Sequence, residues 1–442
     1  MAGGKVLFLT VGTGNIEKLE ETLFTPLRKS ILDGQWREVV LLPSCETAAS
    51  ARHVCEKLKD INIVMESLPE PGLENDVDKS YAHFEKVIGA RIGSGTPPQQ
   101  MVADFTRGTK AMGAALVLAA YRHNVSRLRY IVGLRDGAGN VQAGTEEVHE
   151  FFTAVAGGHR LFDQARLLMK QGNFAAVLAV LPDPDNSLDD AVVPRQFAEA
   201  FRFARAVAAV YGAWDRLDYE QAEKLLDACP SQCTDAGWQE FAVGAEVVEH
   251  LRELAKPRPT VATDCASWVR VRAADLLANG ERRIRDRQFE DAYLRAYRVL
   301  ELVGQARLFA HGLDSARLPL VNEHVKKLQE HLKKRGDAPL RQNRDGDTCT
   351  CAREQTARLL RFMGDPIGST LLRLGAGRFV TARNTSLLIH GFSATTQGSD
   401  EQLRRIYADL EALLIEEHPD HAAQNLAVAR RASFGPAVSN SI

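Results

Sequence analysis

Over its first 132 residues the sequence repeats one unit: a short run of β-branched and aliphatic residues, a turn signal, then a stretch with helical periodicity. The apolar runs cover 5–11, 38–42, 62–65, 100–104 and 129–132, and the helical stretches between them cover 16–32, 46–59, 76–88 and 111–121. Strands joined through helices pair in parallel, because the connection must carry the chain back to the end it started from. Residues 1–153 are therefore expected to form an α/β, Rossmann-like domain. Such sheets take ligands in the crevice at the carboxyl ends of their strands.

Two of those strand ends have the chemistry of a ligand cradle. The first strand closes on Gly12-Thr13-Gly14-Asn15 and the fourth on Thr106-Arg107-Gly108-Thr109-Lys110. Each offers glycines for close backbone approach, hydroxyls, and N–H groups at a helix start, which together suit phosphate. With the strand-end residues Thr10 and Ser44 they make up the candidate ligand-binding set. Neither loop is a P-loop: the first lacks the Gly-Lys-Ser/Thr ending, and it also lacks the third glycine of a dinucleotide fingerprint. A tight strand-to-helix turn uses glycine for structural reasons alone, so the second loop, with its two cations, is the more specific signal.

After residue 153 the alternation stops. Residues 154–258 read as a helical linker and 259–432 as a helical bundle, an all-α C-terminal part, with Pro257-Arg258-Pro259 as the boundary. Three polar–aromatic breaks, Gly172-Asn173-Phe174, Asp218-Tyr219 and Gln288-Phe289, separate helical stretches. Their aromatics stand 45 and then 70 residues apart, so no fixed period exists and no repeat array is expected. A long helical stretch over 266–308 is expected to break near Arg287-Gln288, and 289–302 carries the wide apolar stripe of a bundle helix. The polar stretch 333–351 reads as a mobile interruption, with helices resuming to residue 360, around Leu371, and over 381–390 and 400–417. The tail 433–442 is expected to be disordered.

At 442 residues the chain has room for two or three domains, and no apolar run nears the length needed to span a bilayer. The start, Met1-Ala-Gly-Gly-Lys5, has no signal-peptide pattern, and seven cysteines, an odd number, fit a reducing compartment. A cytoplasmic protein without membrane attachment is expected. Cys229 with Cys233, and Cys349 with Cys351, lack a second pair at metal-ligand spacing, so no metal site and no cofactor is expected. Residues 261–442 hold 27 Lys/Arg against 22 Asp/Glu, whereas residues 1–260 hold 28 against 35. The C-terminal part is the better host for a polyanion.

In that part lies Arg383-Asn384-Thr385-Ser386-Leu387-Leu388-Ile389-His390-Gly391. Arginine and histidine seven positions apart on a helix share a face, about 10 Å apart along the axis. A permanent guanidinium charge and an imidazole that titrates near neutrality suffice to cleave RNA without metal. The same residues also fit a solvated arginine and a helix-capping histidine before glycine. A second pair, Arg307 and His311, shares a helical face one turn apart, in a helix the bundle needs for packing.

Taken together, 5–15, 104–112, 289–302 and 383–390 resemble, in this order, the CRISPR-associated ribonucleases of type III systems. In that family an N-terminal CARF domain senses a cyclic oligoadenylate and a C-terminal HEPN domain cuts RNA. The resemblance implies a catalytic set of Arg383, Asn384 and His390, with the family's gap between arginine and histidine at its upper limit. The Arg307–His311 spacing is shorter than that pattern. It further implies an activator, cyclic tetra-adenylate or alternatively cyclic hexa-adenylate, a single-stranded RNA substrate, a homodimer, and a link to the type III effector complex through the second messenger. The implied products are a 2′,3′-cyclic phosphate and a 5′-hydroxyl. Other readings from the sequence are a CARF sensor whose HEPN domain is inactive and acts by binding, or a nucleotide-dependent regulator.

Overall fold

The computed structural model describes residues 5–13, 20–125, 127–134, 142, 144–185, 195–233, 235–376 and 399–432. They fall into two compact units, one of 1–165 with 180–202 and one of 166–179 with 203–442.

In the first unit β1 (Lys5–Val11), α1 (Thr25–Leu32), β2 (Trp36–Pro43), α2 (Ala48–Lys57), β3 (Ile63–Met65), α3 (Val77–Gly93), β4 (Met101–Asp104), α4 (Lys110–Arg122) and β5 (Arg127–Val132) follow the expected alternation. The sheet order is β3-β2-β1-β4-β5-β6, with every pair parallel up to β5. The sixth strand, β6 (Glu147–Phe152), was not expected from the sequence and pairs antiparallel with β5. It is an edge strand with mostly exposed residues, so it carries no buried apolar run to announce it.

Strand β1 is buried on both faces, and its pleat explains why. Val6 and Phe8 join Val40, Leu42, Met101 and Ala103 under α3 and α4, where they meet Phe84, Ile88, Met112 and Leu116. Leu7, Leu9 and Val11 point the other way with Val39, Leu41 and Val102, against Leu27, Ile31, Ala51 and Val54 of α1 and α2. A period of two thus serves two cores at once, as a central parallel strand requires.

From α5 (Thr153–Lys170) onward the chain is helical: α6 (Phe174–Val180), α7 (Arg195–Asp215), α8 (Tyr219–Leu226), α9 (Ala236–Gln239), α10 (Ala245–Ala255), α11 (Ala262–Arg285) and α12 (Phe289–Ala310). The break between α11 and α12 falls at the expected place. The rest comprises β7 (Leu318–Pro319), α13 (Glu323–Arg335), β8 (Arg341–Gln342), β9 (Thr348–Thr350), α14 (Arg353–Phe362), α15 (Pro366–Gly375), α16 (Ser399–Glu417) and α17 (Ala422–Ala429). The stretch 333–351, expected to be a mobile interruption, instead ends α13 and builds a small sheet of order β7-β9-β8. Leu340, Cys349 and Cys351 pin it to the helical core.

The three polar–aromatic breaks are one structure used three times. Gly172, Leu217 and Arg287 all take left-handed backbone, at φ 74°, 63° and 57°. Each is followed by a six-residue bond: Asn173 N–H to Leu168 O at 2.9 Å, Asp218 N–H to Ala213 O at 3.0 Å, and Gln288 N–H to Arg283 O at 2.8 Å. This is the Schellman helix end, and in each case an aromatic residue begins the next helix. The expectation of no repeat array holds for the spacing but misses this shared turn. The Gly172 turn, the end of α7 at Asp215 and Arg216, and Arg283, Asp286 and Gln288 at the α11–α12 break line one cavity of about 480 Å³ in the second unit.

No helix among the described residues is long and apolar enough to cross a membrane. The expected tail 433–442 lies outside the described residues.

Candidate functional site

The carboxyl edge of the sheet brings the two loops together. β1 and β4 are parallel neighbours paired through Leu9 and Asp104, so the chain leaves both strands side by side. β1 is also where the strand order turns, with β2 on one flank and β4 on the other, the position at which open α/β sheets leave a crevice. The Thr10 hydroxyl donates to the Arg107 carbonyl, tying one loop to the other. A Cβ on Gly12 would sit 2.7 Å from the Gly108 nitrogen, and Gly108 itself has φ 93°. Only glycine permits either feature, so both glycines are demanded by the approach of the loops.

Asp104 shapes the second loop from beneath. It is fully buried, accepts from the Thr106 N–H at 2.8 Å and from the Thr106 and Ser30 hydroxyls, and lies 3.7 Å from Arg129 Nε. Burial pushes its carboxyl above the usual range, and those partners only partly oppose the shift. The Thr106 hydroxyl also receives the Ile131 N–H at 2.9 Å. Thr109 caps α4 by accepting from Met112 N–H at 3.1 Å and donates to the Glu74 carbonyl. These threonines, like Thr10, spend their hydroxyls on the fold. That leaves the loop backbone and the cations for a ligand.

Lys110 is exposed and makes no ion pair among the described residues. Arg107 is half-buried: burial pushes its guanidinium down, Asp104 and Glu146 pull it back, and its Nε has no hydrogen-bond partner among the described residues. An arginine remains charged under these conditions, so this unspent donor favours an anion. Thr13, next to Gly12 in the chain, is exposed, whereas Gly14 and Asn15 lie outside the described residues. Ser44 is buried, and its hydroxyl is within 3.1 Å of that of Thr47, which in turn donates to the Val11 carbonyl at 3.0 Å. Ser44 thus belongs to the turn that braces β1. Sequence reasoning left Asp104 out of the site; its signal was an acid at the end of an apolar strand.

Arg383, Asn384 and His390 lie outside the described residues, in the stretch between α15 and α16. Arg353, at the start of α14, donates to the Gly375 carbonyl at 3.3 Å, at the end of α15, and lies 5.6 Å from the Tyr297 ring. The other pair is in full view. Arg307 Nε and His311 Nε2 both reach the same Asp365 oxygen, each at 2.6 Å. The second Asp365 oxygen accepts from the Ile367 N–H at 3.0 Å and caps α15. Burial would raise the Asp365 carboxyl, but the hydrogen bonds from His311, Arg307 and Ile367 hold it below its ordinary value. This pair locks the end of α12 to the start of α15. Among the described residues no group of three or more His, Cys, Asp or Glu could hold a metal ion, and all seven cysteines are free.

Residues 266–414 match the family described as the Csm6 HEPN domain. The fold is similar to that of Enterococcus italicus Csm6 bound to cyclic hexa-2′-fluoro-hexa-dAMP, with a TM-score of 0.57 and 11% identity, over 97% of this chain and 100% of that one. The match places a Csm6-type HEPN domain in the C-terminal helical part, and the likeness in structure extends the Csm6 fold to the α/β part. No curated protein matches its sequence. The matched stretch encloses both Arg–His pairs, the lock at Asp365 and the segment 383–390.

Proposed function

We propose that this chain is a cyclic-oligoadenylate-activated, metal-independent endoribonuclease of type III CRISPR antiviral defence, acting on single-stranded RNA as a cytoplasmic homodimer. The observation that carries the reading is the Csm6 HEPN match, because it spans Arg383, Asn384 and His390. The domains in this reading are a CARF domain over 1–153, a helical linker over 154–258, the HEPN nuclease over 259–432 and a tail over 433–442.

In RNA the 2′-OH lies next to the scissile phosphate, so the nucleophile is already in place. Its oxygen attacks phosphorus as the bond to the 5′ oxygen breaks; one proton leaves the 2′-OH and one is delivered to the departing oxygen. The products are a 2′,3′-cyclic phosphate and a 5′-hydroxyl. His390 moves the proton, Arg383 neutralises the charge gathering on the phosphorane, and Asn384 orients phosphate or imidazole. A single Arg–His set is thin for two proton transfers, and a two-fold dimer supplies two.

The activator sits at the β1–β4 crevice on backbone N–H groups, Arg107 and Lys110. The excess of acids in residues 1–260 does not prevent this, since at ~0.15 M salt charges beyond about 8 Å are largely screened whereas these donors touch the ligand. Cyclic tetra-adenylate is the first ring to test by family likeness and cyclic hexa-adenylate the second; the ring held by the E. italicus neighbour has six nucleotides.

The test is RNA cleavage in EDTA with cyclic tri-, tetra- and hexa-adenylate added separately. Stimulation by one ring is expected. A requirement for divalent metal, or silence with every ring, sinks the reading.

A further inference from the structure

We infer that the surface formed by residues 317–344 binds the sugar–phosphate backbone of single-stranded RNA, outside the segment that carries Arg383 and His390. This inference rests on the ribonuclease reading and extends it to a substrate-holding surface. Residues 317–344, within the excursion between α12 and α14, contain eight Lys/Arg and three Asp/Glu, whereas the rest of 261–442 contains 19 of each.

The fold directs that charge outward. Val325, Leu328 and Leu332 bury one face of α13 in the helical core. Lys326, Lys327, Lys333 and Lys334 are exposed, two pairs spaced seven residues apart, which places them on one side about 10 Å from each other along the axis. Glu323 and Glu330 lie among them, and the balance of the face remains positive. Arg341 on β8 and Arg344 in the following turn extend it along the chain, and both are exposed.

Surface charge on a helix can be spent within the helix itself. So it is on α16, with Arg404 on Asp400 at 2.7 Å and Arg405 on Glu401. None of the four α13 lysines, nor Arg341 or Arg344, has an ion pair among the described residues, although Arg335 beside them is paired with Asp337. Six unspent cations on a rigid support suit a polyanion with regularly spaced charges.

The experiment uses the full chain silenced by Arg383→Ala and His390→Ala, with a 5′-labelled oligouridylate followed by fluorescence anisotropy over a salt series. Lys326→Gln, Lys327→Gln, Lys333→Gln and Lys334→Gln together keep helix propensity while removing four charges. The expected result is at least a tenfold weaker affinity at ~0.15 M salt and a salt slope shallower by about 3, at roughly 0.7 for each single-strand phosphate no longer neutralised. The four Lys→Arg replacements are expected to retain binding. Unchanged affinity and slope in the glutamine variant overturn this surface alone, as does equal loss in the arginine variant. A parent chain that binds no RNA overturns the ribonuclease reading and this one with it.

Discussion

Asp104 in the α/β unit and Asp365 in the helical unit are both nearly removed from solvent and both lie against an arginine, yet their carboxyls are shifted in opposite directions. Asp365 has two charged or chargeable donors in direct contact at 2.6 Å, plus a backbone N–H. Asp104 has hydroxyls and one N–H in contact, while its arginine stands back at 3.7 Å. Burial and contact together set the sign: at Asp365 short charge-assisted bonds outweigh a smaller loss of water, whereas Asp104 lies deeper and has mainly neutral donors. The first arrangement is a lock between two helices. The second is a loop scaffold held in place at a cost, the kind of spot where a binding loop is shaped.

The sharpest way to break that contrast is catalytic. If the Asp365 lock is architecture, His311→Ala leaves the rate of RNA cleavage within a few-fold, while His390→Ala lowers it by about 10²–10⁴, the usual reach of general acid–base catalysis. The reverse outcome in the same cleavage assay would make the lock the active site. Next in size is Gly12→Ala. Its methyl meets the Gly108 backbone, so the loops must part; overpacking of this kind costs about 1–3 kcal/mol, and isothermal calorimetry should show activator affinity reduced about tenfold or more.

The opposed shifts themselves predict opposite pH dependence. Asp365 has a lowered native pKa, so its contribution is complete above the unfolded value of about 3.9 and disappears as pH falls through the native one. Asp104 has a raised native pKa; its contribution is complete below about 3.9 and is lost as pH rises through the native value. Urea unfolding of each unit between pH 3 and 7 should therefore show Asp365→Asn removing a rise in stability with pH, and Asp104→Asn removing a fall. Matching slopes in the two variants would refute the contrast. The smallest effect expected is that of Lys110→Ala with Thr13→Ala, a several-fold weaker activator affinity by calorimetry at ~0.15 M salt; no change at all would take the exposed part of the loops out of the site.

Much of this was legible in sequence because period-two and helical patterns are written by burial, and the first five strands are largely buried or half-buried. β6 escaped because its residues are mostly exposed, and the small sheet at 341–350 because three anchoring side chains, Leu340, Cys349 and Cys351, are too few to stand out in a polar stretch. The two crevice loops were found from their glycines and cations. The role of Asp104 was not: Ser30 is 74 residues away in the chain, and only folding brings it and Arg129 to the carboxylate. The shared helix turn was hidden by chemistry, since Leu217 and Arg287 hold the left-handed position that glycine holds at 172.

That turn has a consequence for how such a chain can change length. A hairpin closed by the same backbone end each time presents its neighbour with the same docking geometry whatever residue occupies the left-handed position. Whole hairpins can then be gained or dropped in register, each altering the span by one helix-packing step of about 8–10 Å, with no need to redesign the joint.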